Sequence, residues 1–231
     1  MRRFYKDAAH QQTPDGFEVR LDGKPIRTPG KALLSLPSAA LAAAIAEEWR
    51  EQGDSLSPAT LPLTRLAGTA IDLIAPRREA AIGDIAKYAG TDLVCYRAEH
   101  PPELAARQHR AWQPLIDWAS TRYDAPLKLA FGVVPVAQSP ATLLAFRAAI
   151  AAMDSMRLAG LGLATEAAGS IVVALALLEG RIPPEEAFAC AELEQSFEIE
   201  RWGEDHEQTI RRAGVREDLT LAARFAALMK G

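Results

Sequence analysis
The densest chemistry in the chain is "ELEQSFEIERWGEDHE", residues 192–207, where seven carboxylates share one short segment with a single arginine and one tryptophan. Such a cluster suits three kinds of work: holding a metal, moving protons between paired acids, or gripping another protein. A metal site needs ligands at a fixed spacing. The four histidines, His10, His100, His109 and His206, form no HExxH pattern, and none has a glutamate three residues ahead of it to make the Glu-x-x-His unit of carboxylate-bridged metals. They read as solvent-facing or hydrogen-bonded side chains, and neither a metal nor a cofactor is expected. Within the acidic segment, Glu194, Glu198 and Asp205 share one flank of a continuous helix and Glu200, Glu204 and Glu207 another. Gly203 interrupts that helix, so the carboxylates are expected to diverge.

Other motifs of catalysis are near misses. "AGLGLATEAAG" has Gly160 and Gly162, but Thr165 stands where the third glycine of a dinucleotide fingerprint belongs, and no strand pattern precedes it. Ser170 in "AAGSIVV" lacks the flanking glycine pair of a nucleophile elbow. Cys95 lies among Leu93, Val94 and Tyr96 with no activating base beside it in sequence, so it reads as a small buried hydrophobe. No catalytic residue is assigned.

The elements that carry these residues follow from periodicity. Phe17, Val19 and Leu21 alternate with charged neighbours ahead of Asp22-Gly23, and "KPIRT" follows, which predicts a hairpin whose turn depends on Gly23. "ALLSLP" can add a strand, and Ser38 is placed to cap a helix over "AALAAAIAEEWREQ" that ends by Gly53. Trp49 sits on the apolar side of that helix with Leu41 and Ile45, so it is expected to anchor the core. From Leu61 the chain turns helical. "PLTRLAGTAIDLIA" puts Leu63, Leu66, Ala67, Ala70, Ile71 and Ile74 on one face, "RREAAIGDIAKYAG" points Ile82 and Ile85 inward, and Pro114 is expected to kink or divide the next helix. Later helices are predicted over 140–152, 155–163, 166–179, 184–202, 204–213 and 217–229. Strands early and helices late give an α+β chain in two parts, with the boundary near residue 76 at "APRR": a small N-terminal alpha/beta domain over 1–76 and a mainly helical domain over 77–231.

Between Pro184 and Trp202, Cys190, Leu193 and Phe197 form an apolar stripe for packing, and Phe188, Ala191, Ile199 and Trp202 widen it. Glu204, Asp205 and Glu207 begin a short helix that ends in Arg211, Arg212 and Gly214, where acids at the start and bases at the end each favour the helix dipole by about 0.3–1 kcal/mol. Helix stability, a partner-binding face and catalysis all stay open for the cluster.

Composition narrows the class. Hydrophobic residues make up 49% and charged residues 24%, the balance of an ordinary globular protein. A net charge of −4 without a concentrated basic face argues against nucleic acid as a partner. The longest apolar run, "SIVVALALL" at 170–178, falls short of the roughly 20 residues that cross a bilayer and reads as a core helix. Cys95 and Cys190 show no zinc or redox spacing, and buried thiols in a reducing compartment are expected. No apolar h-region follows "MRR", so a secretory signal is not expected.

Seven segments in order, "RRFYKDA", "VRLDGKPIRTP", "AAAIAEEWREQ", "LPLTRLAGTAID", "YAGTDLVCYRA", "PLIDWA" and "ALALLEGRI" leading into "RWGEDHE", resemble the family of ATP synthase assembly chaperones that hold the alpha subunit before it meets the beta subunit. The resemblance implies a non-enzymatic, ATP-independent chaperone in which an orthogonal helical bundle follows the alpha/beta domain. Its partner is then the ATP synthase alpha subunit, with no small-molecule substrate and no membrane insertion. Eukaryotic members act in mitochondria; here the first motif starts at Arg2, leaving no room for a transit peptide, so a bacterial cytoplasmic member is expected. Glu204 and Asp205, with Glu198, Trp202 and Glu194 on the same stretch, are the expected client contacts. Asp92, Tyr96 and Arg97 either join the two domains or line the client surface, and Lys24 and Arg27 are solvated charges on the hairpin. The competing reading is an enzyme with an unrecognised carboxylate or thiol site.

Overall fold
Asp22 and Gly23 turn the chain back on itself with positive φ at both residues, 48° and 79°, as a type I′ hairpin requires. In the computed structural model, which describes residues 2–132 and 134–230, β1 (Ala8–Thr13) runs antiparallel along one edge of β2 (Gly16–Leu21). The Asp22-Gly23 turn leads into β3 (Lys24–Pro25), which pairs with the far end of β2, and β4 (Ser35–Leu36) pairs with its near end. β1 escapes sequence reading because "AAHQQT" is polar and does not alternate. The sheet buries Ala8, Val19, Leu21 and Leu36 against α1 (Ala39–Arg50), whose Leu41, Ala42, Ile45 and Ala46 are sealed from solvent. Ser38 caps α1 as expected, its Oγ accepting from Leu41 N at 3.1 Å. The same hydroxyl donates to the Leu228 carbonyl at 2.6 Å.

α2 (Pro62–Thr69) has no capping side chain of its own. The buried Glu48 takes that role from α1, accepting from Leu63 N at 2.6 Å and Thr64 N at 2.9 Å, so an anion meets the positive end of the helix. Past Thr69 the helix widens into a π turn over Ala70–Ile74. Leu63, Leu66, Ala67 and Ala70 face inward as the 3.6-residue period predicts, but Ile71 and Ile74 are only half-buried, because the wider turn shifts the phase.

α3 (Arg78–Ala86) buries Ile82 and Ile85. β5 (Tyr96–Arg97), α4 (Pro102–Tyr123) and β6 (Ala130–Phe131) follow, with β5 and β6 paired in parallel. α4 runs through Pro114 undivided. Next come α5 (Pro140–Ala151), α6 (Ser155–Ala168) and α7 (Ile171–Glu179). "SIVVALALL" is a core helix: Ile171 to Leu178 are all buried, and Gly180 at φ 79° ends it. The helix expected over 184–202 is two, α8 (Pro184–Ala191) and α9 (Leu193–Trp202), parted at Glu192. The two helices expected over 204–213 and 217–229 are one, α10 (His206–Leu228), passing through Gly214. Leu219, Ala222, Phe225 and Ala226 are buried along it, and packing of that order outweighs the roughly 1 kcal/mol a mid-helix glycine costs.

The chain packs as two compact units. One comprises residues 2–78, 155–160 and 224–230, and the other residues 79–132, 134–154 and 161–223. No helix among the described residues is long and apolar enough to cross a membrane.

Candidate client-binding site
The acidic stretch divides by partner. Glu192, 5% exposed, breaks the helix so that its carboxylate meets Arg211 at 2.6 and 2.8 Å and Arg212 at 3.2 Å. Glu200 makes two 2.7 Å bonds to Arg107. Glu204 pairs with Arg212 Nε at 3.2 Å. Asp205 and Gln208 form a reciprocal cap on α10: Gln208 N donates to Asp205 Oδ1 at 2.8 Å and Asp205 N to Gln208 Oε1 at 3.2 Å. The carboxylates diverge, as the interruption at Gly203 predicts; Gly203 takes φ 86° between α9 and α10.

At that corner stands Trp202, 83% exposed. The ring of Phe197, five residues earlier in α9, is buried beneath two guanidinium groups, Arg201 at 4.1 Å and Arg107 at 5.1 Å. Trp202, Glu198, Glu204 and Asp205 therefore share an exposed helix junction whose neighbouring side chains are held by ion pairs. Ile210, 59% exposed, is a second large apolar side chain in solvent, in the early part of α10.

Glu194 points elsewhere. Gln108 donates to it at 2.6 Å, and Glu194 lines a recess of about 380 Å³ with Tyr96, Arg97, Glu99, His100 and Gly132. Burial holds the Glu194 carboxyl above its usual range against the opposing pull of Gln108, and Glu198 adds to the rise. Arg97, 6% exposed, donates to the Gln108 carbonyl at 2.7 Å and lies over Trp112. Glu194 and Arg97, drawn from separate expectations, thus meet at the buried Gln108, which no sequence pattern marks.

Asp92 neither joins two units nor lines a surface. It is 1% exposed and accepts from Ser170 Oγ at 2.6 Å, Val172 N at 3.0 Å and Val94 N at 3.1 Å, all within its own unit. Ser170 in turn accepts from Val173 N, so the pair caps the central helix α7. Burial pushes the Asp92 carboxyl up to about 6 while those bonds oppose the rise. A carboxyl titrating near neutrality often marks acid–base catalysis. Here every donor around it is structural and solvent does not reach it.

The thiols are inert by the same physics. Burial, with the Asp92 charge beside it, pushes Cys95 up to about 12, and burial pushes Cys190 up to about 11. No group of three or more His, Cys, Asp or Glu side chains among the described residues is arranged to hold a metal ion. Trp49 is half-buried, not central to the core: its Nε1 donates to Thr64 Oγ1 at 3.1 Å and its ring meets Tyr5 edge-on. Gly23 occupies the hairpin turn, and Lys24 and Arg27 are exposed.

The fold is α+β, an N-terminal antiparallel sheet with a helix followed by a mainly helical region that carries the exposed aromatic corner at Trp202. Residues 2–120 match the family described as ATP12 chaperone protein. The chain belongs to that family, the assembly factors of the ATP synthase alpha subunit, and is a chaperone, not an enzyme. It is 40% identical to Atp12 of Paracoccus denitrificans, whose crystal structure matches with a TM-score of 0.95 over 99% of this chain and 98% of that one. A lysine-for-aspartate variant of the Paracoccus protein matches with the same TM-score. The mitochondrial protein atp12 of Schizosaccharomyces pombe is 25% identical over 214 residues, covering 87% of this chain and 74% of that protein.

Proposed function
We propose that the chain binds the newly made ATP synthase alpha subunit, covers apolar surface that otherwise aggregates, and yields the subunit to the beta subunit without nucleotide turnover. The observation that carries this reading is Trp202, a large aromatic side chain left 83% in solvent at a junction braced by Arg107–Glu200 and Glu204–Arg212. Rigid aromatic anchors supply affinity at small entropic cost, and surrounding charges set specificity and encounter rate. Trp202, Glu198, Glu204 and Asp205 form the contact surface in this reading, with Asp205 also capping α10. Glu194, Tyr96 and Arg97 flank it as a separate recess that a client side chain can enter. Nucleic acid and small molecules have no part in it, and the bacterial cytoplasm is its setting.

Co-expression tests the proposal. The chain is expected to keep the alpha subunit soluble in a stoichiometric complex without nucleotide and to leave the beta subunit unprotected. Trp202→Ala and Glu204→Lys are each expected to cut recovery of the complex by about tenfold while the chaperone stays folded. Equal protection of both subunits, or full recovery with both variants, overturns it.

A further inference from the structure
Outside the Trp202 corner, the N-terminal unit carries a groove of about 510 Å³ with an unusual wall. Ile26, Leu34, Trp49 and Leu73 supply apolar surface, and Gly68 and Arg65 of α2 line it as well. The Trp49 indole is fixed by a relay: its Nε1 donates to Thr64 Oγ1, and that hydroxyl donates to the buried Glu48 at 2.7 Å. Leu73, 52% exposed, stands at the groove's edge on the π turn, an irregularity that costs regular helical bonding and recurs where a helix must present a side chain off its normal phase. Gly68 costs the helix roughly 1 kcal/mol relative to alanine. A Cβ there would meet only the Pro29 ring, at 3.9 Å, so the glycine is not forced by packing and its effect is to keep the groove open.

Charge gives the occupant's chemistry. Asp72, the acid of the lining, is already committed: it accepts from Thr28 Oγ1 and Gly30 N, both at 2.7 Å, and pins the opposite wall. Arg27 is turned to the Lys31 carbonyl. The exposed Arg65 guanidinium has no hydrogen-bond or ion-pair partner among the described residues. The geometry points to a second docking site: the groove takes an extended client segment that presents a large apolar side chain beside a carboxylate, the apolar group against Trp49, Leu34 and Leu73 and the carboxylate on Arg65. This rests on the alpha subunit being the client, and it adds a contact on the other unit from Trp202.

The test uses the full chain and overlapping fluorescent peptides spanning the alpha subunit, read by anisotropy, beside capture of the intact subunit. Peptides that pair an apolar with an acidic residue are expected to bind. Gly68→Leu, which fills the groove while favouring the helix, and Arg65→Glu, at an exposed position, are each expected to weaken them about tenfold or more, and Trp202→Ala to leave them unchanged. Parental binding by both variants, or binders that lack an acid, overturns the groove site. So does an absence of any binding peptide while the intact subunit is still captured, in which case the chaperone reading stands. Failure of the parent to capture the intact subunit removes the reading and the groove together.

Discussion
Asp92 and Asp205 both cap helices, yet one is sealed at 1% exposure with at least three donors around it, and the other stands in solvent sharing a two-bond cap with Gln208. The same division runs through the other acids. Glu48 and Glu192 are buried and fasten backbone or guanidinium groups, whereas Glu198 and Glu204 lie on the surface beside Trp202. Buried carboxylates in this protein fasten elements out of reach of solvent, whereas exposed ones such as Glu200, Glu204 and Asp205 make their ion pairs and caps at the surface. Acidity along the sequence does not separate the two settings; enclosure does.

The comparison is easiest to break at Asp92. Asp92→Ala strands the Ser170 hydroxyl and the Val94 and Val172 amides in the core, and about 3 kcal/mol or more of unfolding free energy should be lost in urea titrations. A loss below about 1 kcal/mol would mean these bonds fasten little. The sign of the pH effect sharpens the point. A carboxyl raised from 3.8 to about 6 on folding binds more protons in the folded state, so its ionisation destabilises the fold as pH rises from about 4 to about 6. Relative to Asp92→Asn, the parent's stability should fall across that window; a parallel pair of curves refutes the assignment. Glu192→Ala comes next, at about 2 kcal/mol, moderated because Arg211 is half in solvent. Asp205→Ala should cost about 1 kcal/mol through the lost cap. Trp202→Ala should move stability by no more than about 0.5 kcal/mol while weakening client capture, the smallest effect on folding joined to a large one on binding.

Much of the fold was legible where local rules act alone. The Asp22-Gly23 turn, the Ser38 cap and the wholly apolar 171–178 helix each follow from residue type and period. What escaped is what distant residues decide. The break at Glu192 answers to arginines about twenty positions on, and the continuity of α10 through Gly214 answers to burial of Leu219, Ala222 and Phe225. Trp49, expected in the core from its helix face, is half-buried because that face also borders the groove. For the site, the acidic cluster points to the segment that carries the exposed Trp202, but Glu194 belongs with Arg97 and Gln108 across 86 positions of sequence, a meeting no spacing rule foresees.

The bond from Ser38 to the Leu228 carbonyl sets an order on synthesis. Residues 224–230 belong to the same unit as the first strands, so that unit lacks part of its packing until nearly two hundred further residues have been translated. The cap of α1 at Ser38 is therefore completed only once Leu228 has been made.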